Sequence, residues 1–242
     1  MVTRRGFLKT GGLLMPLAQG AVARPLRVVC VGGHPDDPES GCGGTLARYA
    51  AEGHQVSIVY LTRGERGVQG KSLDEAAAIR TAEAEAACRI LGAKPIFAGQ
   101  VDGDTEVNSA RIAAIRKLLA AEAPDVMLAH WPIDFHADHQ AASLLAMQAY
   151  FALKDRPVLY FFEVNSGFQS MGFKPTHYVD VLAVREKKKA ALFAHRSQNG
   201  ERIYRVHHEV MENYRGRESG LTAAEGFVLL SRDGKIDRLP GV

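Results

Sequence analysis

The chain has 242 residues, 46% of them hydrophobic and 24% charged, with 30 Lys+Arg against 27 Asp+Glu. Folding at this length buries roughly 70–75% of the extended-chain surface, enough for a hydrophobic core, which excludes a disordered polymer, a collagen-like repeat and a disulfide-stapled miniprotein. The excess positive charge sits in residues 1–23, which hold Arg4, Arg5 and Lys9 and no acid; the remainder carries 27 residues of each sign and shows no electrostatic footprint for nucleic acid.

In chain order, the opening Thr3-Arg-Arg-Gly-Phe-Leu-Lys9 precedes an apolar stretch broken by Gly11, Gly12 and Pro16, and then Ala21-Val22-Ala23, a small-x-small cleavage triplet. This order resembles a twin-arginine export signal. The apolar part falls short of the ~20 residues that span a bilayer. The expectation is cleavage near Ala23, export to the periplasm, no stable membrane anchor and one domain over residues 24–242. A bound metal suits a route that carries folded proteins.

Short apolar runs then alternate with helical periodicity. Strands are predicted at 26–31, 55–62, 95–98, 125–130 and 158–164, a weaker one at 178–181 and a last one at 227–231. Helices are predicted at 43–52, 73–91 before Gly92, 109–122 before Pro124, 139–153 and 184–195, with less regular chain from Ser197. The basic run Arg185-Glu-Lys-Lys-Lys189 reads as a solvated helix face. Such alternation implies an α/β fold, a Rossmann-like three-layer αβα arrangement with a mostly parallel sheet, in which ligands bind outside the carboxyl ends of the strands. Cys30, Cys42 and Cys88 are an odd number and read as small buried hydrophobes.

Two polar clusters fall at such strand ends. His34-Pro-Asp-Asp-Pro-Glu39 follows the first strand, and His130-Trp-Pro-Ile-Asp-Phe-His-Ala-Asp-His139 closes the fourth. Two imidazoles and a carboxylate suit Zn²⁺ with a position open to water. They also match the facial triad of non-haem iron oxygenases, so the donors alone name neither metal nor reaction. The spare carboxylate of the Asp36-Asp37 pair favours hydrolysis, because it can take a proton beside the ligand set. Residue physics alone does not choose which of the two binds metal.

His34-Pro-Asp-Asp-x-Glu39 followed by Gly-Cys-Gly-Gly-Thr-Leu-Ala, with the later His136-x-Asp-His139, resembles the zinc-dependent de-N-acetylases of the PIG-L/LmbE family. The resemblance takes in Gly53-His-x-Val56, Leu61-Thr-Arg-Gly-Glu65, Arg80-x-x-Glu83, Leu91-Gly92 and His195-x-Ser-Gln198, and so spans about residues 26–198. Ala137 stands where the family usually has Pro, and Pro38 lies between Asp37 and Glu39; neither replaces a ligand. The resemblance implies Zn²⁺ held by His34, Asp37 and His139, with Asp36 as general base. It further implies that His136 stabilises the oxyanion or protonates the leaving amine, and that Asp138 orients a histidine.

Other residues carry weaker expectations. Arg63 and Arg80 are candidates for sugar or anion contact, with a salt bridge from Arg80 to Glu83 or Glu65 as the bland alternative; Trp131 is a candidate to stack on a sugar ring or to plug the sheet edge; and His195, Ser197 and Gln198, which end a helix, are candidates to line the pocket. His130 reads as a hydrogen-bonded structural residue, His54 as surface, and Glu39 as an acid bonding amides at a helix start. His207 and His208 read as neighbours on extended chain that cannot share a metal. The reaction implied is removal of acetate from an N-acetylglucosamine-type glycan or glycoconjugate. The alternatives are another N-acyl or S-conjugate amide, or a non-catalytic exported sugar- or metal-binding protein. Oligomeric state is not legible.

Overall fold

The computed structural model describes residues 24–230 and 239–242. The segment read as an export signal, and Ser231 of the last expected strand, lie outside the described residues.

Among the described residues, seven strands form one sheet in the order β3-β2-β1-β4-β5-β7-β6: β1 (Arg27–Gly32), β2 (Gln55–Thr62), β3 (Ala93–Gln100), β4 (Val126–His130), β5 (Val158–Phe162), β6 (His177–Asp180) and β7 (Ala224–Leu229). β1 to β5 are mutually parallel, and β7 runs antiparallel between β5 and β6. The helices are α1 (Asp37–Ala51), α2 (Leu73–Leu91), α3 (Ser109–Glu122), α4 (Ala137–Phe151), α5 (Arg185–Ala194), α6 (Gly200–Ile203) and α7 (Glu209–Ser219).

Strand alternation divides the core. Val28 and Cys30 of β1 pack with Leu46 of α1, Leu91 of α2 and Ala191 of α5, whereas Val29 and Val31 pack with Leu119 of α3 and Leu145 of α4. The sheet is thus buried on both faces, as a parallel sheet requires. From β1 the chain moves outward to β2 and β3, then returns to lay β4 on the other side of β1. The crevice at this reversal, at the carboxyl ends of β1 and β4, is where both polar clusters emerge.

Helices with strong local signals have the predicted bounds. The Ser72 hydroxyl accepts the Glu75 N–H while the Glu75 carboxylate accepts the Ser72 N–H, and Gly92 ends α2 at φ +81°. Asn108 accepts the Arg111 N–H at the start of α3.

Two regions differ from the sequence expectation. α1 begins at Asp37 rather than residue 43, and its first eleven residues are buried; packing overrides the low helix propensity of its glycines. Helical geometry breaks at Cys42 (φ −143°, ψ +18°), so the N–H groups just beyond it need outside acceptors. Glu225 of β7 supplies them, accepting Gly44 N–H at 2.9 Å, Thr45 N–H at 2.7 Å and the Thr45 hydroxyl at 2.6 Å. Buried Lys188 balances that carboxylate at 2.7 Å and meets Glu212 at 2.8 Å.

The second difference is the chain after Ser197, which forms α6, a π-turn over Tyr204–His208, and α7. α7 has no apolar stripe because its inner face is ionic: Glu212 pairs with Arg185 and Lys188, and Arg215 holds Glu163 at 2.6 Å. His207 and His208 therefore sit on a helical turn, not on extended chain. His54 is half-buried, its Nδ1 accepting the Leu26 N–H.

Glu225→Ala removes one of the two carboxylate partners of a buried ammonium and strands the Gly44 and Thr45 amides that follow the break in α1. It should cost about 3–5 kcal/mol of stability, read as a lowered urea midpoint with an unchanged slope.

Candidate metal and active site

The turn after β1 folds back so that Asp37, 6% exposed, faces the end of β4. Its Oδ2 accepts the His34 N–H at 2.7 Å and lies 3.1 Å from His34 Nδ1, 3.2 Å from His139 Nε2 and 3.3 Å from His130 Nε2. Gly33 makes this approach possible, since a Cβ there would stand 3.1 Å from both Asp37 Oδ2 and His139 Cδ2.

Two of these imidazoles, His34 and His139, are fixed from behind by carboxylates. His34 Nε2 meets Asp138 Oδ2 at 2.9 Å and Asp102 Oδ1 at 3.3 Å. Asp138 is itself held by the Gly103 N–H at 2.8 Å and the Thr105 hydroxyl at 2.6 Å. His139 Nδ1 meets Asp134 Oδ1 at 3.1 Å, and that carboxylate also accepts the His136 N–H and the Ser170 hydroxyl. Carboxylate-backed histidines facing a shared point are the usual surroundings of a metal.

The electrostatics agree. Burial opposes charge on His34, but Asp37, Asp102 and Asp138 outweigh it and hold its pKa well above the usual range. Burial likewise opposes charge on His139, while Asp37 and Asp134 raise it to about 9. Burial would raise the Asp37 carboxyl, yet His139 and His34 bring it well below the ordinary value. Without metal, protons on His34 and His139 supply the positive charge that the buried carboxylate demands. A divalent cation would replace them, and the donor set fits one.

Among the described residues, three overlapping groups have donors close enough to share an ion: His34, His136 and His139; His34, Asp102, His136 and Asp138; and Asp37, His130 and His139. His34 and His139 share the first group and Asp37 and His139 the third, so His139 links the His34 side of the cluster to Asp37. His130 is engaged elsewhere, because its Nε2 already accepts the Gly33 N–H at 3.1 Å. Burial and the neighbouring His139 lower its pKa to about 4, so it stays neutral.

Asp36 is turned away from this set. Its backbone is left-handed at φ +100°, and a strain of about 1–3 kcal/mol is typical of such a residue. Glu39 Oε2 accepts its N–H at 3.2 Å, and Arg80 Nη2 donates to its Oδ1 at 3.0 Å. Arg80 also donates to the Pro35 carbonyl and fills the space beside Gly64, whose φ of +69° and missing Cβ leave room for the guanidinium. Burial raises the Asp36 carboxyl, Arg80 opposes this, and Asp37 adds to it; the net direction is up.

His136 caps α4, its Nδ1 accepting the Asp138 N–H at 3.2 Å. The proton therefore sits on Nε2. Burial and the neighbouring His34 and His139 lower its pKa, which favours a neutral hydrogen-bond donor.

These groups border an open cleft of about 310 Å³, with His34, Asp36, Asp37, His136 and His139 at its base and Arg66, Arg80, Asp102, Gln169 and Gln198 around them. A larger hollow of about 470 Å³ lies at the amino ends of the strands, beside Arg27 and Pro157, and contains none of these groups.

Of the residues considered for substrate contact, Arg80 and Gln198 line the cleft, and the Arg80 guanidinium is engaged with Asp36. Arg63 is exposed, 3.4 Å from Glu65. Trp131 packs edge-on to Phe161 and Phe173 and donates to the Met171 carbonyl. His195 is fully buried 3.1 Å from Glu39 Oε1, without the alignment of a hydrogen bond. Glu39 also accepts the Tyr60 hydroxyl at 2.5 Å.

Sequence reasoning overlooked Asp134 and Asp102. Asp134 lay inside the second cluster without a spacing rule to mark it, whereas Asp102 follows β3, where the strand-end rule could have found it.

The sequence profile of the GlcNAc-PI de-N-acetylase family matches residues 29–150. A diacetylchitobiose deacetylase of Thermococcus kodakarensis is 31% identical over 83% of this chain and 82% of its own length. The N,N'-diacetylchitobiose deacetylase structure from Pyrococcus horikoshii superposes with a TM-score of 0.75 at 25% identity, covering 84% of this chain and 83% of that one. A 4-carboxy-2-hydroxymuconate hydratase of Pseudomonas putida shares the fold, with a TM-score of 0.76 at 23% identity over 88% of this chain and 98% of its own.

Asp134→Asn removes the carboxylate behind His139 and should weaken divalent-metal affinity about 10–100-fold, measured by competition with a chromogenic chelator. Metal must displace the proton that His139 keeps up to about pH 9, so affinity should rise as pH approaches that value.

Proposed function

The chain belongs to the GlcNAc-PI de-N-acetylase family, and from that premise we propose that it is an exported zinc-dependent de-N-acetylase. Its substrate in this reading is an N-acetylglucosamine-type glycan or glycoconjugate, which it hydrolyses to a free amine and acetate. The observation that carries the reading is the pairing of two adjacent carboxylates with opposite surroundings. Asp37 is ringed by imidazoles, while Asp36 is strained away from them and held by Arg80.

His34, Asp37 and His139 would hold the zinc, which when bound supplies a Lewis acid that polarises the amide carbonyl and brings the pKa of water to about 7. Asp36 takes the proton of the attacking water, a task suited to a carboxylate whose pKa burial has raised. His136 donates Nε2–H to the amide oxygen as negative charge develops there, a contribution of the order of 3–4 kcal/mol at comparable sites. The neutral state of His136 makes it a donor to the oxyanion, and leaves Asp36 to return its proton to the departing nitrogen. Asp138 and Asp134 keep the metal-facing nitrogens of His34 and His139 aimed inward.

For the substrate class, the diacetylchitobiose deacetylases support an N-acetylated sugar. The exposed Phe135 and Phe168, at 84% and 74%, adjoin the cleft residues His136 and Gln169 in the chain and offer flat apolar surface to a second ring. The order Arg-Arg, apolar stretch and small-x-small triplet in residues 3–23 supports export. The hydratase neighbour performs hydration on the same fold, so activity here follows from the site and not from the fold.

Metal-loaded protein should release free amine from N-acetylated sugars and stop when chelator removes the metal. Asp36→Ala should keep metal and lose about 10²–10⁴-fold in kcat, whereas His139→Ala should lose both metal and turnover; full activity in Asp36→Ala would sink the mechanism. For export, residues 1–23 fused to a folded reporter should deliver it to the periplasm, and Arg4→Lys with Arg5→Lys should block delivery.

A further inference from the structure

All three cysteines are buried free thiols, but they are not equivalent. Cys30 lies in β1 and Cys42 at the point where α1 loses helical geometry, and their sulfur atoms are 3.5 Å apart with both residues fully buried. Cys88, on α2, has its sulfur 3.2 Å from the Tyr60 hydroxyl. The odd number thus resolves into one close pair and one remaining thiol. Residues 31–41, between the paired sulfurs, contain His34, Asp36, Asp37 and Glu39.

We propose that Cys30 and Cys42 are a disulfide-forming pair whose oxidation closes a covalent loop around the turn that carries His34, Asp36 and Asp37. Two S–H bonds break and one S–S bond forms; the two electrons and two protons reduce an external disulfide, such as oxidised glutathione, to two thiols. Bonded sulfurs stand about 2.05 Å apart, so the pair must close by roughly 1.5 Å. Cys42 is placed for such a shift, because its backbone is already outside the regular helical ladder.

Burial decides when the bond can form. Neither sulfur is open to solvent, and burial and Cys30 push the Cys42 thiol up, which disfavours the thiolate needed for exchange. The bond therefore forms as the chain folds or opens, and the folded protein retains the redox state in which it folded. The consequence is a clamp: the crosslink limits how far the turn can open, which raises stability without metal and slows metal loss. The latter rests on the metal reading of His34, Asp37 and His139; formation of the bond does not.

The test is to refold the full chain in oxidised glutathione and, separately, in excess thiol, then alkylate under denaturing conditions and map the peptides by mass. The expected result is a Cys30–Cys42 crosslinked peptide with alkylated Cys88 in the first sample and three alkylated cysteines in the second. Three free thiols after oxidative refolding, or a bond through Cys88, would overturn the proposal. Cys88→Ser should still crosslink, and Cys42→Ser should not. The oxidised metal-free protein should melt roughly 5–10 °C above the reduced one; equal midpoints would overturn the clamp. With zinc bound, release to a chromogenic chelator should be several-fold slower from the oxidised form, and equal rates would likewise overturn the clamp. A protein that crosslinks and melts higher but holds no zinc in either state would retire the metal reading and leave the crosslink standing.

Discussion

A buried carboxylate has to be answered by positive charge, and the demand made by Asp37 organises the carboxyl edge of this sheet. Its Oδ2 faces nitrogens from β1's turn, the end of β4 and the start of α4. Two of those imidazoles meet acceptors on their far sides, Asp138 and Asp102 for His34 and Asp134 for His139. The result is alternating charge in layers, carboxylate to imidazole to carboxylate, assembled where the order of parallel strands reverses. Such a cluster is costly when its central charge is unmet and well satisfied when a cation sits among the inward-facing donors.

The two neighbouring aspartates show how one peptide step separates roles. Asp37 enters the first turn of α1 and is drawn inward by the His34 N–H. Asp36 takes a left-handed backbone conformation, which swings its carboxylate toward Arg80 instead. Strain of this kind survives because both ends are fixed, by the Glu39 carboxylate on the Asp36 N–H and by a guanidinium packed against Gly64. The protein thereby keeps a carboxylate of raised pKa beside one of depressed pKa, the separation that acid–base chemistry needs.

Support for this arrangement comes from the carboxyl-terminal third of the chain. Glu225 accepts the amides freed by the irregularity at Cys42, Lys188 neutralises it, and Glu212 on α7 shares that ammonium. His195 stands behind Glu39, which in turn bonds the Asp36 N–H. The profile match ends at residue 150, yet the turn it contains leans on residues well beyond that point. A helix such as α7, with ionic rather than apolar residues on its inner face, fits this purpose because buried ion pairs fix relative position through direction as well as distance.

The sequence by itself determined the layer architecture, the helices with complete caps and the two strand-end clusters. Capping at Ser72 and Asn108 is local chemistry, and so is the alternation that buries both faces of β1. His34, Asp36, Asp37, His136 and His139 stood out as ionisable residues at strand ends, and the family resemblance gave them their expected roles. Only the tertiary structure decided which way each side chain turns and what stands behind it. It gave Arg80 to Asp36, moved Arg63, Trp131 and His195 away from the cleft, and brought Asp134 and Asp102 to the histidines. It extended α1 back through its glycines and made a helix of the polar stretch 209–219. These outcomes depend on contacts between residues tens of positions apart, whose free energies exceed local propensity and which no window along the chain contains.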